Sequence, residues 1–270
     1  MKFSIISLFP EQVRDALSFS MTARAMERGL IELDLVQIRD FAINDYGQVD
    51  DAPYGGGRGM VMMCEPIYNA WRSVVEQYDE VEDDMSSDCV TGNTFSQNVS
   101  EDSVHTIFLS PAGKTFDQEM ALELSKRSHI AFICGHYEGV DARVIEEIGA
   151  EEVSLGDFVL TGGELAAAVM IDAITRLLPG VLPDDEAWQL ESFSDGLLEW
   201  PQYTRPQVWR DRAVPDVLLS GHQANIERER EVSQLIETIA KRPELLKGQS
   251  IDRELWELVA KRLDSDGSGN

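Results

Sequence analysis

Three short apolar runs in this chain each spill into glycine or other small residues, a combination suited to binding a flat ligand. Ile107-Phe108-Leu109 leads into Ser110-Pro111-Ala112-Gly113, and Ile130 to Cys134 leads into Gly135. A third run, Leu155, Phe158, Val159 and Leu160, is broken by Gly156 and closed by Gly162-Gly163. Glycines remove Cβ atoms and permit positive φ, so a ligand can lie against bare peptide groups there. Other chemistries lack their residues. His105, His129, His136 and His222 have no metal-ligand spacing and read as loop or surface residues. No G-x-S-x-G elbow is present, which removes the obvious hydrolase. The run Asp50 to Met63 has four glycines in five residues. It fits neither a P-loop nor G-x-G-x-x-G, and on composition alone it is a flexible turn. Cys64, Cys89 and Cys134 lack C-x-x-C spacing and read as reduced thiols, not as a zinc site or a disulfide framework.

The elements that must position these loops follow from periodicity. Lys2 to Phe9 and Ile31 to Ile38 read as strands, separated by one helical stretch from Glu11 to Leu30. Glu65 to Tyr78 reads as a helix. The three apolar runs then alternate with helices at Phe116 to Arg127 and Ala142 to Ile148, the signature of a mostly parallel α/β sheet. In such a sheet the strand-end loops gather on one edge, where ligands bind. Glu164 opens a further helix, in which Leu165, Val169, Ile174, Leu177 and Leu178 recur at roughly helical spacing before Pro179-Gly180. Residues 183–190, acidic and proline-led, read as an interdomain linker. Beyond them Ile226 to Lys241 and Arg253 to Leu263 are amphipathic, making 191–270 a small helical domain after an α/β domain at 1–182.

A chain of 270 residues can bury a sizeable core. No apolar run approaches the ~20 residues that span a bilayer. The opening MKFSIISLFPEQ has no small-residue cleavage site and reads as a buried strand, so a cytoplasmic location without membrane attachment is expected. The formal charge is −26. That opposes nucleic-acid binding, which draws on Lys and Arg, unless the 23 basic residues are locally concentrated. Part of the acidic excess is local, at 79–84 (DEVEDD) and at 264–270. The whole stretch 79–105 is acidic and Ser/Asn-rich, and reads as a disordered surface insertion without a catalytic role.

The segments FLSPAG, CGHYEGVDARV, SLGDFVLTGGEL, IDAITRLLPGVL and PQYTRP resemble, in order and spacing, those of the bacterial tRNA (guanine-N1)-methyltransferases acting on guanosine 37. These are the TrmD type of the SPOUT class. The resemblance runs over nearly the whole chain, interrupted by the insertion at 79–105. It implies a trefoil-knotted, mostly parallel sheet with helices on both faces and a small C-terminal helical domain; composition alone would give an unknotted doubly wound sheet. It further implies methyl transfer from S-adenosylmethionine to N1 of guanosine 37 in tRNA by a homodimer, with no other protein partner. Mg2+ is expected, if at all, with the tRNA.

Transfer to guanine N1 requires a base to remove its proton and a cation to meet charge gathering on O6. By resemblance these are Glu191, where the family carries Asp, and Arg176. Each has a competing reading: Glu191 as a solvated linker acid, and Arg176 as the partner of Asp172 four residues earlier. The resemblance assigns the cofactor to Phe108, Leu109, Ser110, Pro111, Gly135, Tyr137, Glu138, Leu155, Gly156, Phe158, Leu160, Gly162 and Gly163. Glu138 would face the positively charged methionyl end. It assigns tRNA contacts to Tyr54 and Arg58 in PYGGGRGM, where Arg58 replaces the family's proline, and to Tyr203 and Arg205. After Leu219-Ser220-Gly221 the family's basic helix gives way to IERERE, which leaves Arg205, Arg210, Arg212, Arg228, Arg230, Lys241 and Arg242 to grip phosphates. Alternatives are a knotted methyltransferase with another RNA target, or an RNA-binding or regulatory protein that keeps the pocket without turnover.

Overall fold

A computed structural model describes residues 1–85, 104–184 and 187–267. Two compact units divide the chain, Met1–Asp185 and Glu186–Asn270. The first opens with β1 (Lys2–Ser7), α1 (Pro10–Leu17), α2 (Ser20–Glu27) and β2 (Glu32–Gln37). A two-residue pair follows, β3 (Asp50–Asp51) and β4 (Val61–Met62), and then α3 (Cys64–Met85). The unit is completed by β5 (His105–Thr115), α4 (Gln118–Leu124), β6 (His129–Cys134), α5 (Ala142–Ile148), β7 (Glu151–Ser154) and α6 (Glu164–Thr175).

The central sheet has the order β2-β1-β6-β5-β7, and each of its pairings is parallel. This explains the unbroken apolar run Ile130–Cys134 of β6 and the buried Phe3, Ile5 and Ile6 of β1, because a parallel strand covered on both faces needs apolar residues on both. On one face Ile6, Ala131 and Ile133 pack with Ile67, Ala70 and Val74 of α3 and Val144 and Ile145 of α5. Phe3 and Phe132 meet on the other face, ring centroids 6.3 Å apart, and α6 packs there against β1, β6, α1 and α4. The mostly parallel α/β architecture read from the sequence is the one observed.

Several local expectations are corrected. The helical stretch 11–30 is two helices, because the chain turns at Ser18-Phe19 and Ser20 takes a positive φ of 56°. Ser110 to Gly113 is not a loop: β5 continues through it to Thr115, with a register shift against β7 between Leu109 and Lys114. Gly113 lies at this shift, so close to Glu152 that an added Cβ would strike the β7 backbone. Residues 79–85 of the expected insertion belong to α3, Val104 packs against the core and His105 belongs to β5; residues 86–103 lie outside the described residues, as does Cys89. In α6 Leu165 and Val169 are exposed, while Ala166, Ala167, Ala168, Met170 and Ile171 are buried. The alanines, together with Met170, Ile171 and Ile174, form the buried face of this helix.

In the second unit Ala187–Leu190, at the end of the expected linker, forms a 3-10 turn; Asp185 and Glu186 lie outside the described residues. A short antiparallel pair, β8 (Val208–Trp209) and β9 (Arg212–Ala213), interrupts what the sequence suggested was wholly helical. Then come α7 (Asp216–Leu219), α8 (Gln223–Lys241) and α9 (Arg253–Gly267). A small core of Val232, Leu235 and Val259 joins α8 to α9, and Glu229 ties the same helices through a two-pronged ion pair with Arg262, with N–O separations of 3.0 and 2.8 Å.

Candidate active site

The middle of β5 and the loops after β6 and β7 surround one cavity of about 340 Å³. All of the residues that the sequence nominated for the cofactor, Phe108, Leu109, Ser110, Pro111, Gly135, Tyr137, Glu138, Leu155, Gly156, Phe158, Leu160, Gly162 and Gly163, line it. His136, Val140, Val153, Ser154 and Ala166 line it as well and had not been singled out. Val153 and Ser154 come from β7, a short strand whose two leading glutamates hid it from an apolar-run search.

The walls are joined at their glycines. The Gly163 N–H donates to the Gly135 carbonyl at 3.1 Å, and His136 and Gly162 form an antiparallel bridge. A Cβ on Gly163 would stand 2.8 Å from the Cys134 Cα, and one on Gly162 2.5 Å from both the Glu164 carboxylate and the His136 ring. Gly156, at φ 139°, occupies a conformation that other residues avoid. These positions need glycine for space or for backbone freedom, and the result is a slot walled by peptide groups.

Beneath the slot lies a buried polar group that sequence reading missed. Glu164 is 1% exposed. Its Oε1 accepts hydrogen bonds from the Ser7 hydroxyl and from His136 Nε2, the latter at 2.8 Å. A buried carboxylate persists where its oxygens are satisfied. His136 is therefore a loop residue, as expected, but a partly buried and paired one. Burial, reinforced by the Glu164 charge, pushes the Cys134 thiol well up, so it stays a protonated core thiol.

The His129 reading is likewise corrected: it is 1% exposed, within β6. Ser4 spends its one hydroxyl hydrogen on Asp34 at 2.8 Å, so Ser4 Oγ accepts from His129 Nε2–H at 2.9 Å. Nδ1 then has no hydrogen-bond partner among the described residues. Desolvation, with a smaller contribution from Lys2, lowers the pKa of His129 to about 4.

The hairpin of β3 and β4 carries PYGGGRGM at its tip and abuts the cavity loop. Met60 accepts from the Glu138 N–H at 3.1 Å, and Met62 donates to the Gly139 carbonyl at 3.0 Å. A Cβ on Gly59 would run into the Glu138 side chain. Tyr54 at the tip is 98% exposed. The loop continues into Asp141, which caps α5 and is held well below the usual carboxylate range by its hydrogen bonds with Arg143.

Neither nominated catalytic residue lines this cavity. Arg176 caps the carboxyl end of α6, on the stripe that bears Leu165, Val169 and Asp172, and its N–H donates to the Asp172 carbonyl at 3.2 Å. Glu191 is part of the other compact unit, half-buried after the 3-10 turn. In that unit Tyr203 and Arg205 line a second cavity, of about 540 Å³, with Trp200, Gln223, Ile226 and Arg230. Arg230 stacks over Trp200 at 5.0 Å and Arg210 over Trp209 at 4.8 Å. From Trp200 to Val214 three arginines meet a single acid, Asp211, so this part of an acidic chain is locally basic. Among the described residues no cluster of His, Cys, Asp or Glu is placed to hold a metal ion, and no helix is long and apolar enough to cross a membrane.

A parallel sheet with a glycine-walled cavity at the carboxyl ends of its strands defines a ligand-binding α/β protein. The chain belongs to the tRNA (Guanine-1)-methyltransferase TrmD family, whose family model matches residues 1–248. Proteins named tRNA (guanine-N(1)-)-methyltransferase from Lachnoclostridium phytofermentans and Staphylococcus epidermidis are 45% and 44% identical to it, covering 91% and 98% of this chain and 91% and 100% of their own. One of the same name from Staphylococcus aureus is 46% identical over 94% of each chain.

Proposed function

We propose that this protein transfers a methyl group from S-adenosylmethionine to N1 of guanosine 37 in tRNA. The observation that carries the reading is the single cavity into which the family-like segments of β5, β6 and β7 converge. Its size and glycine walls suit a nucleoside with a flexible tail, the slot between Gly135 and Gly163 taking the flat adenine. When bound, the cofactor supplies an electrophilic sulfonium methyl. The chain's own groups do the rest. Backbone groups of residues 155–163 hold the adenosine, and Glu138 offers a negative charge to the methionyl ammonium. Glu191 removes the N1 proton, and Arg176 meets the charge that gathers on O6.

Glu191 and Arg176 lie in different compact units, and the working enzyme in this reading is a homodimer. The exposed apolar pair Leu165 and Val169, on the same stripe of α6 as Arg176, supports it by offering a face for a second copy to cover. Tyr54, Arg58, Tyr203 and Arg205 hold the tRNA, any Mg2+ travels with that tRNA, and the location is cytoplasmic.

Incubation with labelled S-adenosylmethionine and tRNA transcripts carrying guanosine at 36 and 37 tests this. Label confined to N1 of guanosine 37 is expected. Label at another nucleotide assigns a different RNA target, and cofactor binding without transfer to any RNA leaves a regulatory protein.

A further inference from the structure

Glu164 is absent from the cavity lining, and its side chain is 2% exposed, so it touches neither methyl donor nor RNA directly. Yet it joins three segments beneath the slot, two of which wall it. Ser7 ends β1, His136 belongs to the loop after β6, and Gly162 belongs to the loop after β7; the Glu164 carboxylate bonds the first two and lies against the third. The His136 backbone is held by its carbonyl, which accepts from the Gly139 N–H at 3.1 Å, and by the bridge to Gly162, while its N–H points at the Met62 sulfur at 3.2 Å; the ring's hydrogen bond is the one to Glu164. The ring itself stands edge-on to Phe9 at 5.1 Å and to Tyr137 at 6.2 Å. Tyr137, at φ 59°, is in the left-handed region, a conformation that surroundings must impose on a bulky residue. Beyond it comes Glu138, at the mouth of the cavity.

A buried carboxylate is a poor choice if the need is only stability, because well-packed apolar residues stabilise as well or better; such groups suit a role in fixing one arrangement. We infer that Glu164 is a positioning residue for the methyl donor, locking His136 so that the His136-Tyr137-Glu138 loop and the Gly162-Gly163 loop are held at donor-binding separation. This rests on the cofactor reading above. The carboxylate acts through His136, and Ser7 holds the same oxygen from the β1 side.

The test measures S-adenosylmethionine and S-adenosylhomocysteine binding by calorimetry, and steady-state methylation of tRNA, for Glu164→Gln, Glu164→Ala, His136→Asn and the Glu164→Gln/His136→Asn double variant. Glu164→Gln preserves volume and keeps the test alive if the alanine variant does not fold. Donor affinity is expected to fall at least fivefold in Glu164→Gln and further in a folded Glu164→Ala. The KM for tRNA and kcat at saturating donor should stay within about threefold, the split expected when binding but not chemistry is lost. In the His136→Asn background, Glu164→Gln should cost less than twofold more, since the two act as a unit. Donor affinity within twofold of the parental value in folded Glu164→Gln overturns the inference, as does an equal loss in both backgrounds. A parental protein that binds neither donor nor product removes the cofactor reading and this inference with it.

Discussion

A Cβ added to Gly163 would stand 2.8 Å from the Cα of Cys134, so the first turn of α6 lies directly on the end of β6. That contact holds the two cavity walls together, and nothing flexible intervenes, since the obstructing atom is the backbone of a fully buried core strand.

Gly163→Ala is therefore expected to weaken S-adenosylmethionine binding at least tenfold, and Gly163→Val to abolish it. Overpacking against a strand backbone costs typically ~1–3 kcal/mol, so both variants should also melt earlier. Calorimetry on the folded variants checks this, and unchanged affinity would move the cofactor away from this loop.

The general-base assignment predicts that Glu191→Gln slows single-turnover methylation by ~100 to 10,000-fold while leaving cofactor affinity nearly unchanged, since the proton moves only in the chemical step. Glu191→Asp separates two histories. A slower enzyme means that the pocket has adjusted to the longer side chain, and a faster one means a tolerated departure from the family's residue. Parental rates in Glu191→Gln would sink the assignment and turn attention to Asp195 and Glu199.

His129 predicts a pH-dependent stability. Its pKa falls from 6.5 to about 4 on folding. Between those values the unfolded chain binds a proton that the folded chain refuses, so stability rises with pH across this window and is lost as pH drops from about 6.5 towards 4. The contribution is on the order of 2 kcal/mol. Urea unfolding at pH 7 and pH 5 should show a smaller loss for His129→Gln than for the parental chain, and equal losses would place the acid sensitivity elsewhere.

Replacing residues 86–103 with a short Gly/Ser connection, while keeping α3 to Met85 and the strand from Val104 onward, should leave tRNA methylation within a few-fold. The boundaries matter, because Val104 packs against the core that α3 helps to form. A collapse in turnover would assign the segment a part in catalysis.

Much of this was legible in the chain itself. Apolar runs such as Ile130 to Cys134 must be covered on both faces, which dictates a parallel sheet with helices above and below it. Strand ends rich in small residues must gather at one edge, so the cavity residues could be named from order and composition. Family-like segments supplied the chemistry, and the trefoil knot enters from that likeness and not from pattern.

Tertiary structure alone decided the rest. Periodicity counts Glu164 and His136 as a helix start and a loop residue; only packing shows that one buried carboxylate faces Ser7 and His136 across 157 and 28 residues of sequence. His129 read as a loop or surface residue, and only the fold shows it enclosed within β6. Leu165 and Val169 looked like core and face outward, because the buried face of α6 is the one that carries Ala167, Met170, Ile171 and Ile174. Burial and long-range pairing belong to pairs of residues distant in sequence, and a one-dimensional pattern records only neighbours.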